Sequence, residues 1–169
     1  MTKPTVIFFG PDGNRMENKE NKKIFIRTLL YSTSDRGQYI QNMYIQLQRG
    51  ESSQNFNVWG YGETALVRGS GLFVGKDGIA ANHHFLMPRD KSIYEFLPGD
   101  YILKVFVETI NKSPFKIFEQ KLNITTALYN ELAEKANGGI FFDWATNSES
   151  YYPHVDGEPK KPPTQKYVY

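Results

Sequence analysis

The chain has 169 residues, enough for one domain on the usual scale of about 100–200 residues each. Its 20 Lys+Arg against 18 Asp+Glu leave a formal charge of +2 at pH 7, too balanced for a surface built as one phosphate-binding field. With no Cys, disulfides, thiolate nucleophiles, Cys-held zinc and iron–sulfur clusters are all excluded.

A chain of this length can bury roughly 70% of its unfolded surface and needs no covalent or metal staple. Twelve Phe, eleven Tyr and two Trp make up 15% of it, a content that favours pleated, half-buried surfaces over disorder. Val6-Ile7-Phe8-Phe9 predicts a short strand, closed by the turn formers Gly10-Pro11-Asp12-Gly13-Asn14. That apolar run is far below the ~7–15 residues of a signal-peptide core or the ~18 of a membrane span. No membrane span is predicted, and the cytoplasm is the expected location.

Arg15 to Lys23 is charged, lacks apolar periodicity and reads as a solvated loop. Ile24 to Tyr31 reads as a long strand buried on both faces at its start, followed by a turn at Ser32 to Gly37. Met43, Ile45 and Leu47 alternate with Asn42, Tyr44, Gln46 and Gln48, the period of a strand with one wet face. After a turn at Arg49 to Ser53, Phe56 to Tyr61 predicts a strand with Phe56 and Val58 on the core face and Trp59 and Tyr61 on the other. Gly69-Ser70-Gly71, between Leu66-Val67-Arg68 and Leu72-Phe73-Val74, suits a bulge or a strand changing sheets. Asp77-Gly78 predicts a hairpin turn.

Tyr101, Leu103, Val105 and Val107 share one strand face, and Asn111 to Pro114 closes a hairpin onto Phe115 to Ile124. The turn Phe96 to Asp100, which delivers Tyr101 at the head of a long strand, resembles the tyrosine corner of immunoglobulin-like sandwiches. One helix is predicted at about 126–137, capped by Thr125 or Thr126 and stopped by Asn137-Gly138-Gly139. Ile140 to Trp144 returns to the core, and from Pro153 onward little remains to bury. The expected fold is therefore all-β: a two-sheet antiparallel β-sandwich, immunoglobulin-like or C2-like, with one short C-terminal helix. It occupies residues 1–155 as a single domain, followed by a Pro/Lys-rich extended tail over 156–169.

Chemistry is sparse. Gly69 to Phe85 resembles the stretch around the catalytic His of trypsin-like serine proteases, and the resemblance implies a general base at His84. No Gly-x-Ser-Gly follows, and the chain beyond His84 is too short for a second barrel, so the segment reads as strand, turn and strand. His83 and His84, adjacent in a strand, should point to opposite faces and cannot readily share a metal. Turn aspartates are single, without the Asp-x-Asp of a calcium loop, and no carboxylate pair or phosphate loop stands out. No catalytic residue, metal or cofactor is assigned.

Aromatic side chains are the better lead. Trp59 and Tyr61, with a second cluster of Trp144, Tyr151 and Tyr152, are the candidate binding residues, since exposed rings anchor protein interfaces or stack on sugars. Pro159-x-x-Pro162 in the basic tail suits a polyproline ligand, and Asn123-Ile124-Thr125 matches a glycosylation acceptor. The expected function is a non-catalytic interaction module that binds a protein partner or self-associates. Carbohydrate or small-ligand binding is the alternative and a small hydrolase the remote one. Basic residues are scattered among acids, which disfavours nucleic acid.

Overall fold

The computed structural model describes residues 1–13, 21–61, 67–68, 71–88, 90 and 92–160. Twelve strands and one helix follow in chain order: β1 (Val6–Pro11), β2 (Lys22–Leu30), β3 (Gln38–Arg49), β4 (Ser52–Phe56), β5 (Val58–Tyr61), β6 (Val67–Arg68), β7 (Leu72–Val74), β8 (Ile79–Leu86), β9 (Gly99–Thr109), β10 (Phe115–Ile124), α1 (Thr126–Ala133), β11 (Lys135–Ala145) and β12 (Ser150–Pro159). They form two antiparallel sheets. The larger runs β12-β11-β1-β2-β8-β5-β6; the smaller runs β10-β9-β3-β4, with β7 also on β3. This is an all-β sandwich with one short helix.

The alternation in the sequence places the core. Met43, Ile45 and Leu47 of β3 and Tyr101, Leu103, Val105 and Val107 of β9 are all buried. They face Ile7, Phe9, Ile24, Ile26, Phe85, Ile140 and Phe142 of the seven-stranded sheet. Thr125 caps α1 by accepting a hydrogen bond from the Leu128 amide at 3.2 Å. The helix is shorter than expected: by Lys135 the chain is already in β11, and Asn137 and Gly138 make a bulge against β12 rather than a helix stop.

Three short connections cross from one sheet to the other. β4 and β5 lie in different sheets with only Asn57 between them. β6 and β7 also lie in different sheets, the second of the two outcomes expected there; residues 69 and 70 between them fall outside the described set. Asp77-Gly78 is a turn with Gly78 at φ +72°, but it joins β7 to β8 across the two sheets and makes no hairpin. A Cβ on Gly78 would sit 2.6 Å from the Leu30 carbonyl, so the crossing demands glycine.

β12 also differs from the expected tail. Pro153 and Pro159 are accommodated because β12 is an edge strand, where a missing N–H can face away from the ladder. Residues 156–159 therefore belong to the sheet, and residues 161–169 lie outside the described set.

The turn before β9 is fixed by two hydrogen bonds. The Tyr101 hydroxyl donates to the Leu97 carbonyl at 2.6 Å, and the Arg49 guanidinium donates to the Pro98 carbonyl at 3.0 Å. Burial pushes the Tyr101 phenol well above its usual range, so it stays a donor. Replacing Tyr101 with Phe removes that donor and leaves the Leu97 carbonyl unpaired. The expected cost is about 1–2 kcal/mol, seen in thermal melts as a fall of roughly 3–6 °C; an unchanged midpoint would deny the corner a structural role.

Candidate functional site

β-Strand alternation separates the two neighbouring histidines. His83, opposite Ile26, points into the core and is fully buried; His84, opposite Phe25, points to the outer face of the seven-stranded sheet. Burial lowers the pKa of both. For His84, burial, the Lys23 ammonium and then His83 bring it from 6.5 to about 4. Its Nδ1 has no hydrogen-bond partner among the described residues. A neutral, shielded imidazole of this kind is a poor general base near pH 7.

His84 is one end of an aromatic row that crosses five strands. Register aligns His154, Phe141, Phe8, Phe25 and His84 on β12, β11, β1, β2 and β8. Ring centroids along the row are 5.4, 4.7, 4.8 and 5.2 Å apart. Phe8 and Phe25 are within 17° of parallel at 4.8 Å, which is face-to-face stacking at the strand spacing. The Phe8 ring also leans over Gly10 and Gly139, where a Cβ would come within 2.3 and 2.1 Å of it. Phe8 with Phe25 and Phe141 with His154 turn faces to each other, while Phe8–Phe141 and Phe25–His84 are tilted by 57° and 53°. Such a row is a poor platform for a sugar, which stacks on an open ring face. Beside it lie Asp143, whose carboxylate is 3.4 Å from His154 Nδ1, and Arg27, whose Nε donates to the Asn82 side-chain carbonyl at 2.9 Å.

The predicted binding residues do not form one surface. Trp59 is only 4% exposed and packs in the core with Phe85 opposite, a correction to its expected exposure. The single residue Asn57 between β4 and β5 resets the alternation, so Phe56 and Trp59 both turn inward. Tyr61 closes β5, but its side chain lies outside what is described. Trp144 and Tyr151 are cross-strand partners with rings 5.1 Å apart, but both are half-buried. The Tyr151 hydroxyl donates to the Pro4 carbonyl at 2.7 Å, and Lys3 Nζ sits 3.7 Å from the Trp144 ring. This pair fastens the N-terminal segment. Tyr152 alternates to the other face, beside Asp143, and is 68% exposed.

A different set of apolar side chains is left in solvent. Tyr39 and Phe73 are register partners on β3 and β7, 61% and 49% exposed, with rings 4.9 Å apart. Ile110, 53% exposed, donates its amide to the Tyr39 carbonyl at 3.4 Å. Gly37 lies under the Phe73 ring, where a Cβ would meet it at 2.5 Å. Tyr39 and Phe73 pair at the end of the five-stranded sheet, and Ile110, just past β9, is next to Tyr39 through its backbone. Sequence reasoning missed them because Tyr39 on β3, Phe73 on β7 and Ile110 just past β9 are far apart in the chain. Among the described residues, no three His, Cys, Asp or Glu side chains are grouped to hold a metal ion, and no helix is long and apolar enough to cross a membrane.

The two histidines make stability acid-sensitive. Because the folded-state pKa values lie below the unfolded value, unfolding takes up protons. Their contribution is complete above pH 6.5 and is lost as pH falls through their lowered folded-state values, which for His84 is about 4. Wild-type melting temperature should therefore fall between pH 7 and pH 5, and His84→Phe, which fits the aromatic row, should flatten that fall. An equally steep fall in the variant would remove His84 from the explanation.

No family model matches this chain, and neither the curated proteins nor the solved structures contain a match to it.

Proposed function

We propose that the domain is a non-catalytic interaction module whose ligand is a protein. The observation that carries this reading is the exposed pair of Tyr39 and Phe73, with exposed Ile110 next to Tyr39. Large apolar side chains cost little in the core and are unfavourable in water, and an aromatic pair with an aliphatic neighbour is the composition of an interface anchor. Tyr152 offers a second exposed ring on the opposite sheet. The Tyr101 corner favours an immunoglobulin-like over a C2-like classification, and a chain free of Cys suits the reducing cytoplasm.

Carbohydrate binding is the weaker reading, since in the aromatic row on the seven-stranded sheet Phe8 is buried and the Phe8–Phe25 and Phe141–His154 pairs are stacked on each other. A hydrolase is weaker still, because its one nameable base, His84, is buried and held neutral.

The test compares wild type with the double variant Tyr39→Ala/Phe73→Ala in quantitative affinity capture. The expected result is a stoichiometric protein partner held by wild type and lost by the variant, with melting temperatures within a few degrees. Equal capture by both would move recognition elsewhere. Quenching of Trp fluorescence by soluble glycans, with no protein captured, would favour the carbohydrate reading.

A further inference from the structure

β10 is an edge of the five-stranded sheet, bonded to β9 on one side and to no strand on the other among the described residues. An open edge presents backbone N–H and C=O groups ready to pair with another chain, and proteins blunt such edges with prolines, brevity, bulges or charged side chains, Lys above all. The other edges among the described residues are blunted: β12 carries Pro153 and Pro159, β6 has two residues, β7 three and β4 five. β10 has ten residues and no proline, and its charges, Lys116, Glu119 and Lys121, are of both signs, so they repel a second strand only in a register that sets like charges opposite each other. Its one irregularity, between Lys116 and Phe118, leaves Phe118 to Ile124 in unbroken register with Val105 to Gly99.

The Gln120 side-chain amide donates to the Lys121 carbonyl at 2.9 Å, as Gln54 does to the Asn55 carbonyl on edge strand β4. A side-chain amide here occupies the place of a neighbouring strand's N–H. The Lys121 backbone, and by alternation that of Glu119, therefore faces the open edge. Register with β9 places Glu119 and Lys121 on the outer face, opposite Lys104 and Ile102. Phe118, Gln120 and Leu122 point inward, opposite Val105, Leu103 and Tyr101.

We infer that β10 pairs antiparallel with β10 of a second copy about a two-fold axis at Gln120, joining two five-stranded sheets into one. Residues opposite each other in a two-fold pair must share a face, so the axis passes through a residue and not between two. Centred on Glu119, the pairing opposes two carboxylates; centred on Lys121, it opposes two ammoniums. Centred on Gln120, it sets Glu119 against the copy's Lys121 twice and Phe118 against Leu122 twice. Within one chain, Glu119 already pairs with Lys116, whereas Lys121 has no ion pair among the described residues. The copy supplies that carboxylate. This inference uses a different edge from Tyr39 and Phe73 and holds whether or not they bind a partner.

Sedimentation of the purified full chain, from low micromolar to sub-millimolar concentration, tests it. The expected result is a reversible monomer–dimer equilibrium. Glu119→Lys or Lys121→Glu alone should weaken association by about tenfold or more, and combining both should restore it, since each restores the other's partner. Hydrogen exchange gives a second reading: the Glu119 and Lys121 amides should be protected at high concentration and lose protection on dilution. A chain that stays monomeric throughout would overturn the inference, as would association untouched by either single change or a double variant that remains monomeric while melting like wild type.

Discussion

Phe9 occupies the point where the two sheets are joined, and the rest of the sandwich is arranged around it. Fully buried, it stacks on Phe96 at 4.8 Å and meets Phe142 and Tyr101 edge-on at 5.2 and 6.1 Å. Those rings come from β11, from the head of β9 and from the segment just before it. One side chain of the seven-stranded sheet thus touches the strand and the turn that anchor the five-stranded sheet. Phe96 extends the contact to Phe56 and Tyr94, at 6.2 and 5.4 Å. The Tyr101–Leu97 and Arg49–Pro98 hydrogen bonds hold the turn that carries Phe96. Aromatic packing of this kind is directional as well as apolar, so it fixes orientation between sheets and not only their contact.

This constraint decides what is left for function. Rings spent on the junction, Trp59 among those buried with it, cannot contact a ligand. The outer aromatic row is spent differently, on stacking across strands, and that too consumes ring faces. Left available at the margins are, among others, the Tyr39–Phe73 pair at one end of the smaller sheet and the long open edge of β10. Both suit another polypeptide better than a small ligand, one through apolar anchors and the other through backbone pairing.

Much of the fold was legible in the sequence because period-2 alternation in β3 and β9 declares its own core face. The helix start was legible for a similar reason, Thr125 being a local cap. Less legible were features that depend on register between distant segments. Phe8, Phe25, Phe141 and His154 align only once β1, β2, β11 and β12 are placed side by side, and nothing within any one of them announces it. Trp59 was misplaced because alternation was carried through Asn57, where the chain changes sheet and the parity resets. The prolines of β12 resembled those of a tail, since sequence does not reveal which strand will be an edge. Histidine placement was the reverse case: adjacency alone put His83 and His84 on opposite faces.

The junction is tested most directly by urea unfolding of Phe9→Ala beside wild type. A ring shared by both sheets should cost about 3–5 kcal/mol when truncated, with a single cooperative transition retained, because neither sheet can keep its inner face covered without the other. A loss below about 1 kcal/mol, within the range of an ordinary surface change, or two separate transitions for the two sheets, would contradict it.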